Sequence, residues 1–594
     1  MKRRWFIFAA LVLIAGVAAI YAQTWNFEFL SYDDEGYTVG CPFVKEGLSW
    51  SNIVAAFRDP AWGGIWMPIT YTSYMTVITL FGSAPGAQHI VSVLFHCINT
   101  VLFFWFLISL KKEYVKGDEK GFDSISSIVL FAAAALWAWH PLRVESVAWI
   151  ASRKDTLFTL FTLCGLLAWL RAIKPNALHT SVWCCAAWLM MVLGCLCKPT
   201  AMVFPALAFS LELLFCGFAL FVSPRKWPKY LPLLAVSAAI AALAGYSQTH
   251  ATGEASHPFF YSTFAWRMLN AAVSLGMYLY HTVVPVGMQF WYRPVRDGVP
   301  LHTSLALVSL AVATIAVAYV CWRNRHNRLG VVIVASALFY LAAISPTLGI
   351  AGSFGNHALA DRFTYVPAMA ISILIVLCPV SKAVKWRMGY VVVSIIVLVA
   401  MLFLSHGYAA TYRNNMTAFT NIAENDPGHC YAWSNIGSET IIRTGDIDKG
   451  IEYFRKSLAL FPTDEAKEEL AFALVSRNDP MDEAEIVSIC MEGLNPEPGK
   501  PIPVLPKDKD PRGFRSEALG VIAMRYQDWP NAVICLETAV ARDPEREDCR
   551  MRLAMSHWNM MNRSAARPHL EILSRSSRPD ISAKARELLG MIQH

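Results

Sequence analysis

The sequence predicts an all-α protein in which a polytopic membrane domain is followed by a helical-repeat solenoid. Of the 594 residues, 55% are hydrophobic and only 16% are charged, whereas soluble proteins carry about 25% charged residues. Apolar runs long enough to cross a bilayer recur throughout 1–408. The remainder, 409–594, is charged and contains an internal repeat. These three observations set the two predicted domains.

The first domain contains twelve apolar runs that we considered as membrane helices. They lie near 5–22, 89–110, 124–139, 156–172, 181–197, 201–222, 229–245, 264–286, 301–320, 330–348, 363–379 and 388–407. Basic residues between the runs fix the orientation, because lysine and arginine stay on the cytoplasmic side. Lys2, Arg3 and Arg4 precede the first run. We therefore expect a cytoplasmic N-terminus and an external loop at 23–88.

One run must fail to cross if the basic cluster Arg323–Arg328 is to remain cytoplasmic. The run 264–286 is the weakest, since it carries Arg267, Asn270 and His281. We predict that it is re-entrant or interfacial, as polar segments are tolerated where they line a protein cavity. The prediction is about eleven spans plus one re-entrant segment, with the second domain on the external side.

A 34-residue repeat marks the second domain, 409–594. Four positions recur at this offset: Gly520 as Ala554, Ala532 as Ala566, Leu536 as Leu570 and Ala539 as Leu573. The spacing is typical of tetratricopeptide repeats (TPRs), which place small residues where two helices cross. An earlier unit fits at 433–462, so we predict about three to four repeats, some degenerate. Such solenoids usually bind peptides or partner proteins.

Composition also argues against two other kinds of site. The net charge of +7 comes mainly from short clusters between apolar runs, which is a signal of membrane topology, and we predict no nucleic-acid partner. Most of the 14 cysteines occur singly in apolar helices, without the paired spacing of zinc sites. We read them as small helix-packing residues.

Polar residues that could carry chemistry fall on the predicted external side. An acidic triplet, Asp33, Asp34 and Glu35, follows the first helix. The linker 140–155 is rich in charge, and Lys198 and Arg362 adjoin apolar runs. Cations can neutralise a phosphate, with arginine offering bidentate hydrogen bonds, while a carboxylate takes a proton. This combination suits a lipid-phosphate substrate.

Three segments resemble signatures of a known family. They are His140-Pro-Leu-Arg-Val-Glu-Ser-Val-Ala-Trp-Ile-Ala-Ser-Arg-Lys-Asp155, Lys198-Pro199 and Ala360-Asp-Arg-Phe-Thr-Tyr-Val-Pro367. They are similar to segments of the TMTC-like O-mannosyltransferases and their bacterial relatives, within the GT-C glycosyltransferase superfamily. The element 32–37 resembles the acidic motif of that superfamily's first external loop. The resemblance implies a GT-C-like fold, a polyprenyl- or dolichyl-phosphate sugar donor, a hydroxyl acceptor and inverting transfer.

The resemblance also implies roles for individual residues. Asp33 and Asp34 match the catalytic position, and we assign Asp34 as the base and Asp33 as the residue that orients the acceptor, although the reverse order stays open. Four cations are predicted to bind the donor phosphate: Arg153, Lys154, Lys198 and Arg362. Further substrate-binding candidates are Glu35, His140, Arg143, Glu145, Arg293 and Asp361.

The chain departs from the family pattern at Met67, which stands where relatives carry a histidine. A metal site needs three or more convergent ligands, and the sequence offers no such set. We therefore predict no metal site and no cofactor beyond the lipid-linked donor as co-substrate. A variant that depends on a divalent cation stays open.

Structural roles compete with these assignments. The aspartates could cap a helix, Arg153 to Asp155 could form an interfacial ion-pair anchor, and His140 could cap a helix end. His89 and His96 lie seven apart on one helical face, where core packing is the better interpretation.

At the level of function, the leading hypothesis is a membrane glycosyltransferase whose TPR domain binds an acceptor protein. The alternatives are a non-catalytic membrane-anchored TPR scaffold and a transporter. An anchor needs one helix and no charge cluster, and transporters place ionisable groups near the midplane. We predict a bacterial inner membrane with the TPR domain in the periplasm.

Overall fold

The structure is a computed structural model. It describes residues 3–59, 62–115, 124–174, 179–221, 223–251, 263–293, 301–324, 327–350, 359–378, 387–492, 504, 506, 510 and 512–592. Two compact units divide the chain, Met1–Ala418 and Phe419–His594. Each unit is described by itself below.

The described residues of the first unit form helices and no strands. The α-helices are α1 (Arg3–Tyr21), α2 (Asp34–Tyr37), α3 (Trp50–Arg58), α4 (Pro68–Phe81), α5 (Pro85–Tyr114), α6 (Ser124–Trp139), α7 (Val144–Ala148), α8 (Arg153–Ala172), α9 (Thr180–Cys197), α10 (Phe204–Cys216), α11 (Leu231–Ala251), α12 (Phe264–Val283), α13 (Leu301–Arg323), α14 (Arg328–Ile344), α15 (Met369–Leu377), α16 (Arg387–Ala410) and α17 (Asn415–Asn425), the last of which runs across the boundary.

Nine helical segments of the described chain are long and apolar enough to cross a membrane. They are Arg3–Asn26, Pro85–Tyr114, Ile150–Ala172, Thr180–Cys197, Pro199–Leu220, Pro224–Ser247, Thr303–Arg323, Arg328–Thr347 and Val391–Ala410. A tenth arises if Ser126–Trp139 and Pro141–Ala148, which meet at an angle of 54°, form one broken span. The predicted all-α, multi-pass membrane fold is confirmed.

One segment differs from the predicted eleven spans and one re-entrant segment. The run 363–379 contains only the nine-residue helix Met369–Leu377, which is too short to cross a bilayer of about 30 Å. The run 264–286 contains one unbroken helix, α12, which is not among the segments of the described chain that are long and apolar enough to cross; its re-entrant or interfacial placement stays a prediction. Thr263 caps this helix, and the polar Asn270 and His281 are buried against protein.

The charged linker between α6 and α8 lies in the interior of the first unit. Every residue from 140 to 159 is buried, although the segment contains six ionisable side chains. The break after α6 falls at Pro141, whose ring fixes the backbone and removes an N–H donor. Buried charges are costly unless they are paired or hydrogen-bonded. The contacts of this linker therefore determine the local structure and define the candidate site.

The described part of the second unit continues with α18 (Cys430–Thr444), α19 (Ile447–Leu460), α20 (Asp464–Arg477), α21 (Glu483–Met491), α22 (Phe514–Arg525), α23 (Trp529–Arg542), α24 (Glu547–Asn559), α25 (Arg563–Leu573) and α26 (Pro579–Ile592). Consecutive helices pack in pairs, α18 with α19, α22 with α23 and α24 with α25.

Glycines lie where two of these helix pairs cross. An ideal Cβ on Gly520 would come within 2.7 Å of Leu536, and one on Gly437 within 2.8 Å of the Phe454 ring. These are the positions at which the 34-residue repeat requires small residues. The assignment as a TPR solenoid, and its concave binding surface, stay predictions.

Candidate functional site

Three cations and three carboxylates come together beside the acidic loop of the first unit. Lys154 and Asp155 lie in the first turn of α8, and Lys198 follows the last residue of α9. Arg362 lies in a 3₁₀ turn, Asp361–Thr364, and pairs with Glu145 of α7. The third carboxylate, Asp33, precedes α2. We call these six residues the charge cluster.

Arg362 is held rigidly by Glu145. One guanidinium nitrogen of Arg362 donates to Glu145 Oε1, and the backbone N–H of Arg362 donates to Oε2 at 2.7 Å. The guanidinium also lies 5.0 Å from the ring centres of both Trp149 and Phe363. Both oxygens of Glu145 are therefore occupied, and the position of Arg362 is fixed before any ligand binds.

Lys198 makes a second buried ion pair. Its Nζ lies 2.6 Å from Oδ1 of Asp155, and both residues are less than one tenth exposed. The pair lines a cavity together with Arg362. Buried pairs contribute little net stability, because desolvation offsets the attraction. An ion pair at the wall of a cavity is a candidate for contact with a ligand.

Lys154 differs from the other two cations. It makes no ion pair within the described chain, and its Nζ lies over the Tyr37 ring at 4.6 Å from the centroid. It is only 5% exposed. Its charge acts on Asp33 across the cluster. Lys154 is thus the cation whose hydrogen-bonding capacity is available to a ligand.

The two adjacent aspartates have different environments. Asp34 is fully buried, and both of its oxygens are committed: Oδ2 accepts from Leu30 N at 2.9 Å and Oδ1 from Ala151 N at 2.7 Å. Asp33 is half-buried, and its side chain does not cap α2. The positive charges of Lys154 and Arg362 act on it.

This geometry argues for the reverse of the predicted assignment of the two aspartates. The two hydrogen bonds of Asp34 connect the acidic loop to the turn before α8, so this carboxylate stabilises the local structure. The carboxylate of Asp33 instead interacts with the charges of Lys154 and Arg362. Burial raises the pKa of Asp33 above its ordinary value, and Lys154 and Arg362 oppose the rise. Burial also raises the pKa of Asp34 to about 7, despite its two backbone hydrogen bonds. The raised pKa suits either carboxylate to accept a proton near neutral pH, so the distinction between them rests on the two backbone hydrogen bonds that occupy the oxygens of Asp34.

Arg143 and Asp361 support the turn that carries Arg362. Arg143 donates to the carbonyl and the hydroxyl of Thr364 at 2.7 and 2.6 Å. Asp361 accepts from the hydroxyls of Tyr292 at 3.0 Å and Tyr408 at 3.2 Å. Both residues are fully buried. Their contacts position the turn, and neither contributes to the charge cluster directly.

Arg153 and His140 also have structural partners. Arg153 donates to the carbonyl of Gln88 at 2.6 Å and to Ser92 at 3.2 Å, and its guanidinium lies 4.4 Å from the Tyr74 ring centre. These contacts turn it toward α4 and α5, so the predicted phosphate-binding role of Arg153 lacks geometric support. His140 accepts from Leu142 N at 3.1 Å, which is the capping role named as the alternative.

Glu35 and Arg293 complete the predicted set, and both are exposed. Neither lies in the charge cluster, although Arg293 has contacts of its own. His96, interpreted as a core residue, is buried with one ring nitrogen 2.6 Å from the Tyr365 hydroxyl.

Sequence reasoning missed two contributors to the site. Tyr37, which lies under Lys154, sits in the resembling element but was given no role. Thr200 follows Lys198-Pro199 and lines the cavity with Asp155. Neither a tyrosine nor a threonine indicates a binding site by its residue type. In the sequence, only their closeness to motif residues points to these two positions.

Within the described ranges, no group of three or more histidine, cysteine, aspartate or glutamate side chains could hold a metal ion. Met67, where the family resemblance led us to expect a histidine, is fully buried.

The chain is similar to several protein O-mannosyl-transferases, and no family model matches it. F38B6.6 of Caenorhabditis elegans is 20% identical over 72% of this chain and 59% of its own length. Tmtc1 of Drosophila melanogaster is 28% identical over 36% of this chain and 23% of its own length. TMTC1 of Mus musculus is 29% identical over 28% of this chain and 17% of its own length. Each match thus spans less than two thirds of the relative's own length, from 59% down to 17%.

A solved structure, that of ArnT from Cupriavidus metallidurans bound to undecaprenyl phosphate, aligns with 86% of this chain and 83% of its own. The TM-score is 0.34 and the identity is 14%. The class that the fold defines is a multi-pass, all-helical membrane protein. Its resemblance to the TMTC-type O-mannosyltransferases, predicted from the linker motif, is confirmed by the sequence relatives.

Proposed function

We propose that this protein is a membrane glycosyltransferase that moves one sugar from a polyprenyl-phosphate carrier to a hydroxyl acceptor. The observation that carries the proposal is the charge cluster, in which a half-buried carboxylate, Asp33, faces buried cations. The sequence relatives named as O-mannosyl-transferases support the same reaction class. A hexose is therefore the proposed transferred group.

The step is an inverting displacement. Asp33 takes the proton of the acceptor hydroxyl as the acceptor oxygen attacks the anomeric carbon from the side opposite the phosphate. The bond between the anomeric carbon and the phosphate oxygen breaks, and the electron pair leaves with the polyprenyl phosphate. The proton gained by Asp33 compensates the additional negative charge that develops on the phosphate.

The cations stabilise this developing charge. Arg362 is pre-positioned by Glu145, and Lys198 is held at the cavity wall by Asp155. Lys154 makes no ion pair in the described chain. Its ammonium group can therefore donate hydrogen bonds to the phosphate without breaking an existing ion pair. Fixed cations in a water-poor site stabilise a transition state strongly, because they need no reorganisation as charge develops.

The finer assignments rest on sequence reasoning. Basic linkers favour transfer on the external side of a bacterial inner membrane, with the second unit on the same side. The paired helices and crossing glycines of that unit support a role in binding a protein or peptide acceptor through serine or threonine hydroxyls.

The test is transfer of labelled hexose by the purified full chain in lipid nanodiscs. Donors are polyprenyl-phosphate mannose and glucose, and acceptors are peptides rich in serine and threonine. We expect transfer by the wild type and a loss of roughly 100-fold or more in Lys198→Met. Lys45→Met, which changes an exposed lysine of the same unit, is the matched control. Equal activity of the two variants would contradict the phosphate-binding role of the cluster.

A further inference from the structure

Two residues that line the cavity beside Lys198 carry a buried oxygen atom with no hydrogen-bond partner in the described chain. Oδ2 of Asp155 and Oγ1 of Thr200 have no hydrogen-bond partner within the described chain, and both residues line that cavity. Asp155 is 1% exposed. The space has room for about one water-sized group. A buried polar atom left unsatisfied costs about 1–3 kcal/mol. Binding of a ligand group that hydrogen-bonds to these two atoms is therefore favoured.

The chemistry of the lining defines that group. An ionised carboxylate only accepts hydrogen bonds, and Asp155 Oδ1 is already committed to Lys198 at 2.6 Å. A threonine hydroxyl both donates and accepts. The remaining wall includes one further cation, Arg362, and Thr347, beside apolar residues such as Phe158, Val203 and Val366. A ligand hydroxyl that donates to Asp155 and accepts from Thr200 satisfies both atoms, whereas an ionised phosphate oxygen can accept from Thr200 but has no proton to donate to Asp155.

We propose that Asp155 and Thr200 form a subsite for the hydroxyl on the sugar carbon next to the anomeric carbon, the 2-hydroxyl. This inference rests on the proposed function. The anomeric carbon is bonded to a phosphate oxygen, so a phosphate held by Lys198 brings the 2-hydroxyl close to the carboxylate that the same lysine contacts. Asp155 and Thr200 thus determine donor specificity, and Asp33 remains the base.

The test measures donor binding by the full chain in nanodiscs. Polyprenyl-phosphate mannose and glucose differ only at carbon 2, and removal of that hydroxyl turns both into one 2-deoxy donor, so a single analogue serves both. We expect the wild type to bind the better of the two parent donors roughly 10- to 100-fold more tightly than the analogue, the value of one hydrogen bond to a charged group.

Variants separate this subsite from the rest of the cluster. Asp155→Ala should bind the parent and the 2-deoxy donor with dissociation constants within roughly threefold of each other. Thr200→Val should reduce the wild-type ratio of the two dissociation constants by roughly two- to tenfold. Glu145→Gln is the matched control, because both oxygens of Glu145 are already occupied by Arg362. This variant should weaken the binding of both donors and leave the ratio of their affinities unchanged. If Asp155→Ala fails to fold, Thr200→Val still tests the subsite, because it removes the other hydrogen-bonding group.

The outcomes are distinguishable. A wild-type preference that survives in both Asp155→Ala and Thr200→Val overturns the subsite and leaves the proposed function intact. Equal binding of parent and 2-deoxy donors by the wild type, as expected if the cavity holds only water, overturns it as well. Failure of the wild type to bind any polyprenyl-phosphate hexose overturns both the subsite and the proposed function.

Discussion

The clearest prediction separates the two adjacent aspartates through Asp33→Asn and Asp34→Asn. Asp33 makes no side-chain hydrogen bond within the described chain and is half-buried. Replacing it should change the free energy of unfolding by less than about 1 kcal/mol. Loss of the base should lower the rate of transfer by about 10²- to 10⁴-fold. Asp33→Asn is thus predicted to be folded and inactive.

Asp34→Asn should have the opposite effect. Its carboxylate accepts from Leu30 N and Ala151 N, one on each oxygen. An asparagine has only one acceptor oxygen, so one of these N–H groups would face an amide NH₂. Loss of a hydrogen bond to a charged group costs about 1.5–3 kcal/mol. We expect reduced stability at pH 8, where the carboxylate is ionised, and a rate of transfer within about tenfold of wild type.

Both quantities come from the same preparations. Transfer of labelled hexose at saturating donor gives the rate, and thermal unfolding in nanodiscs gives the stability. A matched substitution, Glu35→Gln, changes the exposed neighbour and should leave both unchanged. The reasoning is refuted if Asp34→Asn abolishes transfer at an unchanged unfolding temperature while Asp33→Asn remains active.

Three further predictions concern pH and packing. Lys154→Met should move the acid limb of the pH–rate profile to higher pH, because Lys154 lowers the pKa of the proposed base, Asp33. An acid limb at the wild-type pH would exclude this effect of Lys154 on Asp33. Burial raises the pKa of Glu468 to about 8, so folding takes up a proton and stability falls as pH rises from about 4.5 to 8. Unfolding measurements should show that Glu468→Gln flattens this dependence, with Glu469→Gln as the control. Gly276→Ala should destabilise by about 1–3 kcal/mol, since its Cβ would lie 2.0 Å from a backbone oxygen of α13, whereas Gly245→Ala, with open space around it, should not lower the unfolding temperature.

The sequence predicted the membrane fold well because apolar runs and basic linkers report directly on the bilayer. It predicted less well for the run 363–379, in which the structure has only the nine-residue helix Met369–Leu377. The helix Phe264–Val283 carries Asn270 and His281, and both are buried, so its re-entrant or interfacial placement stays a prediction. Periodicity alone does not reveal which neighbours cover a polar helix face.

The candidate site was predicted in outline. Lys154, Lys198 and Arg362 came from motifs and lie in the charge cluster. Arg153, adjacent to Lys154, points toward Gln88 instead, because successive residues of a helix face different directions. Asp33 precedes α2 and Asp34 is its first residue, so these two neighbours also have different surroundings. Sequence identifies the residue types of such a motif, while the backbone path decides which side chains meet.

The measurement that tests the central claim most directly is intact-mass glycoproteomics of cells carrying the wild-type chain, Asp33→Asn, or no copy of the gene. The account predicts that proteins carrying a single hexose appear with the wild type and are missing from the other two samples, at equal levels of the folded chain. Identical glycoprotein patterns in all three samples, or an unchanged pattern with Asp33→Asn, would contradict it.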